Sequence, residues 1–339
     1  KRYKKQIVAG LLTDADGEPV SVQVYEGNTS DPDTVADQVR KLALRFGAQD
    51  IVLVGDRGMI KAKGKALLGE HGFHYITSLT DPEIRKALAD GVVQLGLFDE
   101  QVTEVELPDG RRYVLRRNPA MTQRTRSRRK DQLRRVEEKV ATRNAEVAAS
   151  RRADPQVSLR QAQKGLKTYK LAGFVQPDLD GRAVRLVIDE LARTRAEELD
   201  GCYVVVTDIP AERADAQTVW GRYGDLQKVE RDFRTMKTVC LELRPIFLRK
   251  ATRTRAHALV TMLALKLVRD LERRVHPLGL TVEDALDRLQ GVRLLTLADP
   301  ALGLWRLPSR WEPEQRQILD VLPALPAPML SLRHPSATV

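Results

Sequence analysis

Residues 223–237 read YGDLQKVERDFRTMK, and the way this stretch folds decides how the rest of the chain is to be understood. It holds no Pro, and no Gly after Gly224. Leu226, Val229, Phe233 and Met236, followed by Cys240, recur at steps of three and four, which predicts one apolar stripe of an amphipathic helix. Tyr223, Glu230, Arg234 and Lys237 follow at seven, four and three. At about 100° per residue they make a second stripe, a carboxylate flanked by cations. That face suits a site holding metal and phosphate together. It equally suits a solvated helix laced with i,i+4 ion pairs, and the helix alone leaves both readings open.

Upstream, 6–13 (QIVAGLLT) is an apolar run, DADG at 14–17 is turn chemistry, and VSVQVY at 20–25 alternates, so 6–25 predicts a β-hairpin. EGNTSD at 26–31 is a polar loop with helix-capping residues, and a helix to about Phe46 follows. In that loop Asn28 and Asp31 have no role beyond turn-making that their spacing requires. DIVLVG at 50–55 is nearly all apolar, the signature of a strand buried on both faces, and it ends at Asp56-Arg57-Gly58. A carboxylate at the carboxyl end of such a strand sits where open α/β sheets place their chemistry; the competing reading is a helix N-cap. GFHYITSL at 72–79 is a further strand. Strand, strand, helix, strand, helix, strand gives a mixed α/β sheet.

Beyond residue 80 the texture changes. Strands are expected at 104–107 and 112–117 around Asp109-Gly110, and at 184–188 and 203–207. Between them, 122–152 carries eleven Lys or Arg against four Asp or Glu, beginning with Arg124, Arg126, Arg128, Arg129 and Lys130. It is a long solvated helix or a basic arm that neutralises phosphates. A strongly apolar helix spans about 254–275, and its His257 reads as a packed side chain. Short amphipathic helices follow, then a Pro-rich, loosely ordered 322–330.

At 339 residues with 42% hydrophobic side chains, the chain can bury a large core. Its 57 Lys+Arg against 46 Asp+Glu, a net charge of +11, favour a polyanionic partner, nucleic acid before membrane. Cys202 and Cys240, the only cysteines, belong to no CxxC pair, which argues against a zinc site or a disulfide framework and fits a reducing cytoplasm. No apolar run is long enough to span a bilayer. GDRG at 55–58 lacks the GxxxxGK[ST] pattern of a phosphate loop. His71 and His74 flank a strand without a partner at metal spacing.

Tyr223, Leu226, Glu230 and Lys237 keep the spacing Y-x2-x-x3-E-x6-K. That spacing, with QIVAGLL, EGNTSD at 26–31, DRG at 56–58, GCYVVVTD at 201–208 and Arg244-Pro245, resembles the tyrosine–arginine–glutamate–lysine signature branch of DDE transposases of bacterial insertion sequences. The likeness spans about 1–275. It implies an α/β, RNase H-like mixed sheet flanked by helices, interrupted by a mixed α/β insertion, with a helical C-terminal part. Residues 1–79 would be the first part of the catalytic core, 80–209 the insertion with its basic helix, 210–275 the second part of the core, and 276–339 a helical tail. Asp56 and Glu230 would be the second and third of three acids binding a pair of Mg²⁺ (or Mn²⁺) ions. Tyr223, Arg234, Lys237, Arg57, Arg124, Arg128 and Arg129 would contact DNA. The signature's arginine position is Leu226, which lies on the apolar stripe; Arg222, Arg231 or Arg234 would stand in.

The family's first aspartate lies on a central strand preceding the hairpin. Only five residues precede Gln6, and Asp14 and Asp16 lie in the hairpin turn, at the wrong end of the strands. The resemblance therefore implies an N-terminally truncated chain holding two of three acids, in line with its start at Lys1. By the same likeness, water and then a 3′-hydroxyl attack phosphodiesters at terminal inverted repeats. The partners would be double-stranded transposon-end and target DNA, with a homodimer on paired ends, in the bacterial cytoplasm at the nucleoid. Two other readings remain: a non-catalytic DNA-binding remnant, and an RNase H-like nuclease or resolvase that hydrolyses without strand transfer.

Overall fold

The structure, a computed structural model, describes residues 6–237, 241, 243, 248, 250–299 and 303–323. Arg244-Pro245, Cys240 and most of the Pro-rich stretch lie outside the described residues. In chain order the strands are β1 (Ile7–Thr13), β2 (Pro19–Glu26), β3 (Val52–Val54), β4 (His74–Ser78), β5 (Thr103–Glu106), β6 (Arg112–Arg117), β7 (Val175–Asp180), β8 (Ala183–Ile188), β9 (Cys202–Thr207), β10 (Leu294–Asp299) and β11 (Gly303–Pro308). The helices are α1 (Asp31–Arg40, continued by a π-turn over Lys41–Arg45), α2 (Ala62–Glu70), α3 (Asp81–Ala89), α4 (Pro119–Ala149), α5 (Pro155–Thr168), α6 (Glu190–Glu197), α7 (Ala216–Gly224), α8 (Leu226–Met236), α9 (Ala251–Val275), α10 (Val282–Leu289) and α11 (Pro313–Val321). By packing the chain divides into two units, Ser30–Leu226 and a second made of Lys1–Thr29 with Gln227–Val339.

The first unit is built on a five-stranded mixed sheet of order β3-β4-β9-β6-β5. β3 and β4 are parallel, and every other pairing is antiparallel. β9 lies at its centre because CYVVVT is apolar at nearly every position and buried on both faces, which only a central strand can satisfy. Three of the five strands come from 80–209, so the segment expected as an insertion shares a sheet with β3 and β4. Ile76, Val114, Val205, Ile209 and Val219 form the core on the face that α7 covers, with Trp220 and Tyr223 packed against it. Gly201, at φ +73°, opens β9; a Cβ there would run into Thr122 Oγ1 and the Asn118 carbonyl oxygen. A separate core of Val136, Leu166, Leu171, Phe174 and Val175 joins α4 and α5 to the β7–β8 hairpin. β7, which breaks its alternation at Pro177, is not legible in the sequence.

In the second unit, among the described residues, β1 and β2 pair only with each other, Ile7 opposite Glu26 and Leu11 opposite Val22. One face of the hairpin carries Leu11, Val22 and Val24 onto Met236, Leu243, Ala258 and Leu265 of α8, α9 and the chain between them. Val275, Ala285 and Ile318 knit α9, α10 and α11 together. The tail also holds a second hairpin, β10–β11, where helices alone are expected. Among the described residues no helix is long and apolar enough to cross a membrane.

Candidate active site

The stretch 223–237 spans the end of α7 and all of α8. α7 ends at Gly224 with Asp225 as its cap, and α8 starts at Leu226. Gly224, of weak helix propensity, lies at the junction. Asp225, the one residue between α7 and α8, keeps αR backbone angles, φ −62° and ψ −16°.

β3 delivers Asp56. Gly55 N–H still donates to the Ile76 carbonyl at 3.0 Å, and Asp56 then turns away at the carboxyl end of the strand. Gly55 leaves room for Ile60, whose Cγ1 would lie 2.9 Å from an added Cβ. The turn closes with Met59 N–H on the Asp56 carbonyl oxygen at 3.0 Å and requires Gly58 at φ +93°. One carboxylate oxygen of Asp56, Oδ1, accepts from Arg57 N–H at 2.7 Å and from the Tyr223 hydroxyl at 3.1 Å. The Tyr223 hydroxyl also lies 2.8 Å from Ser78 Oγ, at the end of β4. A phenol carries one proton, so the three groups form a chain in which Ser78 donates to Tyr223 and Tyr223 donates to Asp56. Burial raises the Tyr223 pKa above its ordinary value, and the Asp56 charge adds to this; the Ser78 hydrogen bond opposes it. The phenol therefore keeps its proton at neutral pH.

Tyr223 is rigidly placed. Asp215 caps α7 by accepting from Thr218 N–H at 2.7 Å, and Val219 is wholly buried against the sheet. Arg57 lies beside Asp56 but reaches outward to Asp81, at 3.2 Å, on an exposed face. Ser78, which sequence reading missed, completes the hydrogen-bonded chain through Tyr223 to Asp56. The available signal was a small hydroxyl ending a strand parallel and adjacent to the one that ends in Asp56.

The basic arm is α4, capped by Asn118 accepting from Met121 N–H at 3.2 Å. Arg124, Arg126 and Arg128 are exposed along it. Arg129 is not: its guanidinium makes two parallel bonds, of 2.8 and 2.7 Å, to the buried Asp200. The Asp200 hydrogen bond holds the Arg129 pKa above the ordinary arginine value. Of the three arginines of this arm expected to contact DNA, Arg124, Arg128 and Arg129, the last is engaged by Asp200.

In the second unit, α8 presents Glu230 to solvent, 70% exposed and 3.4 Å from Arg234. Arg234 is 80% exposed, and Lys237 lies with Nζ 5.3 Å from the Phe233 ring centre. Two residues on, Asp232 is almost fully buried and paired with Arg269 of α9 at 2.7 Å. Burial raises the Asp232 pKa, and Arg269 opposes the rise. Asp232 was invisible in the sequence because it stands at a position the apolar stripe would leave to solvent.

A family model for the transposase DDE domain matches residues 1–267. The chain belongs to the DDE transposase family. Comparison with curated proteins and with solved structures returned no match. Membership accounts for the mixed α/β architecture with its five-stranded sheet, and it brings DNA as partner and cleavage chemistry on DNA as the activity class. Members of this family generally use divalent metal. The donor chemistry of the transposase fits such an ion: Asp56 has one carboxylate oxygen engaged, and Glu230 is open to solvent. Hard oxygen donors of this kind suit Mg²⁺ or Mn²⁺. Among the described residues no group of three or more His, Cys, Asp or Glu is placed to hold a metal.

Proposed function

We propose that this chain is the catalytic part of an insertion-sequence transposase that cleaves DNA at terminal inverted repeats and joins the freed ends to a target. The observation that carries this reading is Asp56 at the carboxyl end of β3, its Oδ1 tied to Arg57 N–H and the Tyr223 hydroxyl. With Oδ1 so held, Oδ2 is the oxygen left for a metal. Asp56 and Glu230 are two of three metal-binding acids, and the bound ions supply the electrostatic clamp on attacking and leaving oxygens. Arg57, Arg234, Lys237 and the exposed Arg124 and Arg128 neutralise DNA phosphates, bidentately where an arginine fork meets two oxygens. Tyr223 serves Asp56 and reaches DNA only through that placement.

β3, expected to be buried on both faces, is half-buried at Val52, Leu53 and Val54, and among the described residues its one neighbour is β4. The bacterial source and a place at the nucleoid follow from the same reading.

Glu230→Ala in the full natural chain is expected to lose Mg²⁺-dependent cleavage of a transposon-end duplex while gel-shift affinity stays within about twofold, since one exposed acid adds little to phosphate binding. Cleavage that survives this change overturns the assignment of Glu230. A second reading is a DNA-binding remnant without chemistry. Plasmid nicking decides between them: binding without nicking by the full natural chain establishes the remnant.

A further inference from the structure

Asp56 carries a carbonyl oxygen and two carboxylate oxygens, and hydrogen bonds fill all but one. Its carbonyl oxygen accepts from Met59 N–H at 3.0 Å and from the Thr77 hydroxyl at 3.3 Å. Its Oδ1 accepts from Arg57 N–H at 2.7 Å and from the Tyr223 hydroxyl at 3.1 Å. Each such oxygen has two lone pairs, so neither has one to spare. Among the described residues no hydrogen bond reaches Oδ2.

Thr77 and Ser78 are consecutive residues of β4, so their side chains leave opposite faces of the sheet. Ser78 shares the face of Ile76, the one that α7 covers, and there its Oγ lies 2.8 Å from the Tyr223 hydroxyl. Thr77 takes the other face and reaches the Asp56 carbonyl oxygen. Both are enclosed, Thr77 at 2% exposed and Ser78 at 8%. The strand therefore grips Asp56 twice, directly at its backbone and through Tyr223 at its carboxylate. With Ser78 donating into the phenol, the phenol's own proton is directed at Oδ1.

A carboxylate held in this way has one oxygen to offer a cation. Ca²⁺ gathers more oxygens than Mg²⁺ and often takes both from one carboxylate, whereas Mg²⁺ holds fewer in a stricter geometry. Taking Asp56 as a metal-binding acid, the reading on which this rests, we propose that Thr77 and Ser78 are positioning residues that make Asp56 a one-oxygen ligand, and that Ser78, through Tyr223, thereby discriminates Mg²⁺ and Mn²⁺ from Ca²⁺.

Electron paramagnetic resonance of Mn²⁺ bound to the full natural chain, with Ca²⁺ added as competitor, tests this. Tyr223→Phe opens Oδ1, and the Ca²⁺ concentration that releases half the Mn²⁺ is expected to fall about tenfold. Ser78→Ala should move it in the same direction, less far, and Ser78→Thr, which keeps the hydroxyl, should hold the wild-type value. Thr77→Val leaves Oδ1 filled, so it should weaken Mn²⁺ and Ca²⁺ together and leave their ratio unchanged. A wild-type ratio in Tyr223→Phe or in Ser78→Ala overturns the proposal. So does a Thr77→Val shift equal to that of Tyr223→Phe, since a general loosening of Asp56 would produce it. Circular dichroism of the ion-free variants checks folding, and if Ser78→Ala does not fold, Tyr223→Phe with Thr77→Val decides. Asp56→Ala separates this proposal from the reading beneath it. Mn²⁺ binding that Asp56→Ala leaves unchanged, or no binding at all, overturns the metal role of Asp56. Binding lost in Asp56→Ala with discrimination intact in Tyr223→Phe overturns the one-oxygen device alone.

Discussion

Asp56 of the sheet unit and Asp232 of the hairpin unit are held in opposite ways. In the sheet unit, Asp56 stays at the surface and is steadied by donors that neutralise nothing: a backbone N–H and a phenol backed by a serine. In the hairpin unit, Glu230 is exposed with only a solvent-facing Arg234 at 3.4 Å, while Asp232, two residues along the same helix, is buried against an arginine. A carboxylate intended to meet a cation is best held by neutral groups, because an arginine on it would compete with the ion. A carboxylate intended to hold a fold is best given the arginine, because burial without one is costly. The comparison sorts the acids by what surrounds them, not by where they fall in a motif.

The largest effect should come from removing the cation from the buried pair. Arg269→Met leaves Asp232 charged and enclosed, and is expected to lower unfolding free energy by about 3–5 kcal/mol in urea titration. An effect under about 1 kcal/mol would mean that Asp232 escapes to water, and the contrast with Glu230 would collapse. Next comes Arg129→Ala, expected to cost about 2–3 kcal/mol because Asp200 keeps only Arg126, 3.7 Å away and 57% exposed. Arg124→Ala with Arg128→Ala should change stability by less than about 0.5 kcal/mol. The same pair should flatten the salt dependence of DNA binding by about two units of log–log slope, the number of phosphates released. If Arg129→Ala behaves like these two, its pairing to Asp200 is not what places it.

Tyr223→Phe removes the hydroxyl and leaves the buried Ser78 Oγ without its partner, at a cost of about 1–2 kcal/mol. Its sharper signature is chemical: the Mg²⁺ concentration for half-maximal cleavage should rise while DNA affinity holds. A drop in DNA affinity with unchanged metal dependence would return Tyr223 to a phosphate-contact role. The smallest effect is one of pH. Burial raises the Asp232 pKa in the folded chain, so the native state holds a proton that the unfolded state has already released. Stability of wild type relative to Asp232→Asn should therefore fall as pH rises from about 4 through the raised native value and then level off. A difference that grows in favour of wild type over that range would show that Arg269 more than offsets burial.

Much of this was legible from the residues. Asp56 could be placed because an apolar strand that stops at an acid leaves few alternatives, and the basic helix because its charge count is high over its whole length. The hairpin and the long apolar helix followed from period alone. What failed was whatever depends on a single backbone choice or on a distant partner. The one-residue interruption at Asp225 between α7 and α8 leaves no mark in the periodic pattern. β9 looked like part of an insertion, since nothing local says that an apolar strand will pair with β4 across more than a hundred residues of chain. Arg129 and Arg128 are indistinguishable in sequence; only the position of Asp200, seventy-one residues downstream of Arg129, sets them apart. Ser78 and Asp232 carry no pattern of their own and become meaningful through Tyr223 and Arg269.

The bare edge of β3 has a practical consequence for anyone handling the protein. Among the described residues β3 has β4 as its one neighbour, and a short apolar strand at a sheet edge is a template on which other chains can add. What keeps molecules apart at low ionic strength is the excess of 11 positive charges. Salt shortens the reach of that repulsion to about 8 Å at 0.15 M and leaves the apolar edge untouched, so the same salt that strips nucleic acid from the protein should bring on its self-association.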